Sequence, residues 1–186
     1  MKRIFLVFTL FALALIGVFF VLPNAVTLLG FSGDTFFGGE VWRILSYPLA
    51  HVSAMHLLEN LVALFVVALL SYELELDILL FLGVFLVSGI VVALLGGLLF
   101  PYLLIVGSSL GIYSLFGALS FKRQEAVPRY LLLFVFGMII FLNIGYTIYL
   151  GEELAQPAYH AAGFVAGAVF FGLSSIRRKK RILQNE

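Results

Sequence analysis

Six long apolar runs, each cut off by charge, glycine or proline, restrict what this chain can fold into more than any other feature. They cover residues 4–22, 53–70, 76–100, 106–121, 130–150 and 157–176. A helix needs about 20 predominantly apolar residues to cross the hydrocarbon core of a bilayer, and most of the runs approach that length. None alternates with the period of a barrel strand, and in lipid only helices and closed barrels satisfy their own backbone. The composition agrees: 63% of the 186 residues are hydrophobic and 11% are charged, where soluble domains sit near a half and a quarter. The chain is therefore expected to be an all-α membrane protein, a bundle of six transmembrane helices forming one domain over residues 1–186.

The first run follows Met1-Lys2-Arg3 and has the look of a secretory signal. It outruns the usual h-region of about 7–15 residues, and no A-x-A-like cleavage site follows, so it is read as a retained span. Basic residues set the orientation. Two precede the first run (Lys2, Arg3), three lie between the fourth and fifth (Lys122, Arg123, Arg129), and five follow the sixth (Arg177, Arg178, Lys179, Lys180, Arg181). Six alternating crossings put these ten on one side and leave Arg43 opposite, which predicts a multi-pass cell-membrane protein with both termini cytoplasmic. The terminal basic cluster suits an anionic lipid surface. Zero cysteines exclude disulfides, thiolate metal sites and a cysteine nucleophile.

The external connection from Pro23 to Ala50 holds Gly30, Gly33, Gly38 and Gly39, then Glu40-Val41-Trp42-Arg43. Its rings at Phe36, Phe37, Trp42 and Tyr47 are the amphipathic kind found at headgroup depth, so a structured loop half-sunk in the outer leaflet is expected.

Polar side chains inside hydrocarbon are expensive and mark functional sites by default. His56 and Asn60 are one turn apart on one face of the second span, with His51 five residues before His56. Two stacked donors can serve a developing oxyanion, although such residues also commonly hold membrane helices together. Gly107-Ser108-Ser109-Leu110-Gly111 follows a break at Pro101-Tyr102 and opens a short fourth helix. A serine at a helix start has free backbone N–H groups beside it; the competing reading is close packing of small residues. Tyr113 lies one turn after Ser109, where its ring could support a histidine. His160 sits near the external end of the sixth span, at about the depth of Ser109. Gly163 and Gly167 follow it on a flat face that allows tight helix contact. An imidazole brought to a serine in this way can take the hydroxyl proton. No carboxylate is placed to orient that imidazole, so a Ser–His dyad is expected rather than a triad. Glu59 points off the His56/Asn60 face, and the fifth span carries only Asn143 as a strongly polar residue.

Together, Glu40-x-Trp42-Arg43, His51-x4-His56-x3-Asn60, Gly107-x-Ser109 with Tyr113, and His160-x2-Gly163-x3-Gly167 resemble the rhomboid family of intramembrane serine proteases. The resemblance runs from Glu40 to about Gly167 in the family's order. It implies that Ser109 is the nucleophile and His160 the general base, with His56, Asn60 and the Ser109 backbone N–H as oxyanion donors. It also implies that Tyr113 packs on the His160 ring, that His51 is structural support, and that Trp42 and Arg43 belong to the embedded loop. A lateral gating role for the fifth span and a preference for small side chains at the cut are implied in the same way. One position departs from the pattern: the family usually has glycine after the nucleophile, and here Leu110 stands there.

The function expected is cleavage of membrane-protein substrates within transmembrane segments weakened by Gly, Pro or polar residues, since an intact helix hides its carbonyls. The lipid bilayer is the other partner; no nucleic acid, cofactor or metal is expected. The alternative is an inactive relative that binds client helices, for which Leu110 speaks. A proton-relaying transporter is disfavoured, because no acidic residue pairs with the histidines at mid-membrane and no inverted repeat is visible.

Overall fold

The computed structural model describes residues 2–122, 128–151 and 153–183, with side chains at 2, 129 and 177–183 left aside. Of the basic residues that set the expected orientation, Arg3 and Lys122 are therefore the ones whose side chains fall within the described set. Helix α1 (Lys2–Val21) is apolar throughout. A connection built from three short helices follows: α2 (Ala25–Leu29), α3 (Gly33–Phe37) and α4 (Arg43–Ser46), then a 3-10 turn over Tyr47–Leu49. Helix α5 (Ala54–Glu73) packs along α1 through tilted ring pairs, Phe5 with Tyr72 and Phe8 with Phe65. Ser53 caps it, its hydroxyl accepting from the His56 backbone N–H.

The third long helix is not uniform. Helices α6 (Ile78–Gly83) and α7 (Gly89–Leu99) are joined by a π-helical turn over Val84–Ser88. That turn carries Phe85 against Gly111, where a Cβ would lie 2.5 Å from the ring. Widened turns of this kind concentrate at functional sites. Helix α8 (Ser109–Phe121) runs through the centre of the bundle, with every residue from Leu110 to Ser120 buried except Tyr113. Its serines turn inward on their own backbone, Ser114 donating to the Leu110 carbonyl and Ser120 to that of Phe116, both at 2.8 Å. Helix α9 (Arg129–Leu150) lies at the periphery and meets α8 through stacked Phe116 and Phe136. Helix α10 (Ala155–Leu183) completes the bundle and runs several residues past the expected end at 176.

Helices α8 and α10 meet backbone to backbone. A Cβ at Gly117 would run into the Phe164 carbonyl, and one at Gly167 into the Ser114 carbonyl; one at Gly163 would sit 3.0 Å from the Leu110 carbonyl oxygen. The two backbones approach as closely as side-chain-free positions permit, which is how membrane helices gain dispersion energy without a hydrophobic drive between them.

The first connection is structured, and arginine is the reason. Arg43 is buried and donates through Nη1 to the carbonyls of Thr27 (2.7 Å) and Gly30 (2.8 Å), while its Nε reaches Glu40 at 2.7 Å. One planar fork thus ties the end of α2 to the start of α4. Phe31 pairs with Ile105 as an antiparallel bridge, and the Gly107 N–H donates to the Tyr47 carbonyl at 3.0 Å. Residues 105–107 are therefore held by the first loop, and α8 starts at Ser109 rather than at 106. Among the described residues, five helices are long and apolar enough to cross a membrane: α1, α5, the combined Ile78–Leu99, α9 and α10. Helix α8 is shorter and enclosed by the others.

Candidate active site

Four helices and one glycine turn converge near the end of the bundle that carries the first loop. Gly107 has φ +91°, a conformation L side chains rarely adopt, and this turn delivers Ser108 and Ser109 at the head of α8. A Cβ there would also press within 2.8 Å of the His56 ring, so the position demands glycine twice over.

The two serines have different fates. Ser108 is buried, and its hydroxyl donates to Asn60 Oδ1 at 3.1 Å. Ser109 is half-buried and lines two cavities, of about 410 and 620 Å³. His56 and His160 line both as well, and Asn60, Tyr113 and Asn143 line the smaller. Ser109, His56, Asn60, Tyr113 and His160 are thus brought together. The larger cavity reaches polar and charged groups at Ser53, Glu153 and Gln156.

His160 is buried at the start of α10, and its ring lies flat on Tyr113, with centroids 4.2 Å apart and planes within 7°. Gly163 one turn later and Gly167 two turns later let α10 settle on α8, which brings the ring down on the tyrosine. Its Nδ1 is 3.2 Å from Asn143 Oδ1 on α9, a partner the sequence reading did not assign. The signal was present, because Asn143 is the only strongly polar residue in that span, but helical spacing cannot pair residues on different helices.

On α5, Asn60 donates from Nδ2 to the His56 carbonyl at 2.8 Å, which fixes its amide and leaves a second N–H on that nitrogen. The His56 ring meets His51 at 5.0 Å between centroids, and His51 is buried with Nδ1 3.3 Å from the Leu49 carbonyl. Burial, and next the charge that His56 would carry, hold the His51 pKa down at about 4 against the partial opposition of that carbonyl. His51 therefore sits as a neutral buttress at the loop boundary. Glu59 lies differently from the sequence expectation: although exposed, it lines both cavities beside His56. Positions 56, 59 and 60 are related as i, i+3 and i+4, so the three side chains share one broad face of α5 and all reach the smaller cavity. Trp42 is exposed beside the buried Arg43 and lines neither of the two cavities. Leu110 is buried among Phe31, Tyr47, Val92, Ala93 and Ile105. Among the described residues no cluster of three His, Asp or Glu side chains has metal-binding geometry.

The family model described as the Rhomboid domain matches residues 38–176, three quarters of the chain and all of the residues just described except the first loop's start. The chain belongs to the rhomboid family. Rhomboid-type serine protease 2 of Saccharomyces cerevisiae is 35% identical over 129 residues, covering 67% of this chain and 47% of the yeast protein. The chain thus spans about half the length of that curated relative. At family level the class of chemistry is serine proteolysis, and the fold is the all-helical rhomboid bundle of an integral, multi-pass membrane protein.

Proposed function

We propose that this rhomboid is an intramembrane serine endopeptidase working through a Ser109–His160 dyad. The single observation that carries the reading is the division of labour at the head of α8. One serine is bonded into the frame by Asn60, while the next opens onto the cavity that His160 and His56 share. His160 takes the Ser109 proton as Oγ bonds to the scissile carbonyl carbon, and the carbonyl electron pair moves onto its oxygen. That oxyanion is met by His56 Nε2–H, the free Asn60 N–H and the Ser109 backbone N–H, the last unpaired within the helix because it opens α8. Collapse breaks the C–N bond and passes the proton from His160 to the leaving amine. Water entering through the larger cavity then releases the acyl group by the same base. Tyr113 holds the ring plane, His51 backs His56, and Arg43 with Trp42 fixes the loop over the site.

Substrates are membrane proteins whose spanning segment unwinds near the cut, since a stable helix offers no accessible carbonyl. We further assign six crossings within one domain over residues 1–186, with both termini cytoplasmic in the cell membrane and the basic run 177–181 on anionic lipid. The rival reading of a client-binding pseudoprotease rested on Leu110. That side chain is buried in the cluster under the first loop and also lines the larger cavity beside Ser109, so the cleavage test below separates the two readings.

The test is a serine-directed fluorophosphonate and a single-span substrate in proteoliposomes. Wild type and Ser108→Ala are labelled and cleave; Ser109→Ala is not labelled, and His160→Ala cleaves nothing. Absence of cleavage and labelling by wild type across several substrates would leave client binding as the function.

A further inference from the structure

A general base needs more than proximity: the correct ring nitrogen must be unprotonated and must face the nucleophile. In His160 the ring plane is set by Tyr113, but stacking leaves the ring free to present either edge. The Asn143 contact removes that freedom. An amide oxygen can only accept, so a bond between Asn143 Oδ1 and His160 Nδ1 requires the proton to sit on Nδ1. Nε2 then carries the lone pair. Were the amide reversed, the proton would sit on Nε2 and the ring could not act as a base.

We propose that Asn143 is the positioning residue for His160, selecting the Nδ1–H form so that Nε2 is free to receive the Ser109 proton. This rests on the dyad reading above and completes it: the orienting partner is a neutral amide supplied by α9, in place of the carboxylate of a triad. Three features support the assignment. Asn143 is half-buried and lines the cavity that contains Ser109 and His160. Its own helix is held at that turn by Thr147, whose hydroxyl donates to the Asn143 carbonyl at 2.9 Å. A neutral acceptor also suits the setting, because a carboxylate would add the cost of charge in a low-dielectric site.

The experiment compares wild type with Asn143→Ala, Asn143→Leu and Asn143→Asp in detergent. Leucine keeps the volume and removes the acceptor; aspartate keeps an acceptor oxygen. Nitrogen NMR of isotopically labelled histidine, with the His160 signals identified by their loss in His160→Gln, reads the tautomer directly. Wild type and Asn143→Asp show Nδ1–H, whereas Asn143→Ala and Asn143→Leu show a mixture with Nε2–H. In turnover, kcat of the leucine and alanine variants falls roughly 10- to 100-fold with KM nearly unchanged, and aspartate recovers most of the loss. A purely architectural Asn143 would give kcat losses that track the unfolding midpoint, with aspartate no better than leucine. That result, or Nε2–H in the wild type, overturns the proposal. The failures separate cleanly. A wild type that cleaves nothing yet shows an Asn143-dependent tautomer refutes proteolysis and keeps the positioning role; full activity in Asn143→Leu does the reverse.

Discussion

Gly167→Ala adds one methyl group, and the structure says where it must go. The new Cβ would overlap the Ser114 carbonyl, its carbon and its Cα, all backbone of α8. Backbone cannot rotate aside as a side chain can, so α10 must lift from α8 by roughly 1 Å at this level. Overpacking of this kind costs about 1–3 kcal/mol, or roughly 3–10 °C in the unfolding midpoint for a chain of this size. The functional loss should exceed the structural one. His160 lies seven residues earlier on α10 and Ser109 five residues before Ser114 on α8, so the lift opens the gap between the proposed base and the proposed nucleophile, and about 1 Å of misplacement can cost on the order of 100-fold in rate. Gly172→Ala on the same helix is the control, because nothing lies within 4 Å of its Cβ. Helix propensity favours alanine equally at both sites. The assay pairs thermal unfolding in detergent with cleavage of a single-span substrate. If Gly167→Ala and Gly172→Ala unfold and cleave alike, the close-contact account of how the dyad is assembled is wrong.

Three further outcomes follow from particular contacts. Arg43→Ala strands the buried Gly30 carbonyl, the part-buried Thr27 carbonyl and the Glu40 carboxylate, destabilising the first loop by about 2–4 kcal/mol, and Arg43→Lys recovers only part because a point charge cannot reproduce the fork; limited proteolysis of residues 22–50 reads the loss. Removing an oxyanion donor, as in His56→Ala or Asn60→Ala, lowers kcat on the order of 100-fold while fluorophosphonate labelling of Ser109 persists at a reduced rate. His51 is neutral in the fold with its pKa near 4, below the ordinary value of 6.5. The unfolded chain binds the extra proton first, so this contribution is complete above about pH 6.5 and is lost as pH falls toward 4. His51→Gln should flatten the decline of the unfolding midpoint in that window, and an unchanged slope would remove His51 as the cause.

How much of this was legible in advance depended on whether the information was local. Helices and polar stripes announce themselves through spacing along one segment, and His56 with Asn60, or His160 with its glycines, needed nothing else. Tyr113 was placed one turn from Ser109 by the same arithmetic, and the stacked ring on His160 follows once α8 and α10 touch. Three features escaped because they are set by neighbours distant in sequence. The π turn at Val84–Ser88 lies in an unbroken apolar run, and what it accommodates is Phe85 against Gly111, on another helix. The late start of α8 comes from Phe31 and Tyr47 holding residues 105–107. Leu110 was read only as the neighbour of Ser109, yet it also packs into the cluster under the loop while keeping a place on the wall of the larger cavity.

Asn143 is the instructive case, since it was visible and still not understood. A lone amide in a span of phenylalanine and leucine is costly enough to require a partner, and that inference needs no structure. What the span itself lacks is the partner's identity. The packing of α9 beside α10 supplies it, putting the amide oxygen 3.2 Å from His160 Nδ1, the nitrogen that the proposed base would keep protonated. On the proposed reading, the expectation of a dyad without an orienting carboxylate and the presence of an unexplained amide have one explanation. In a bilayer the orienting group has reason to be neutral, so the third member of such a site is better sought among isolated Asn, Gln, Ser and Thr residues of facing helices than among acids.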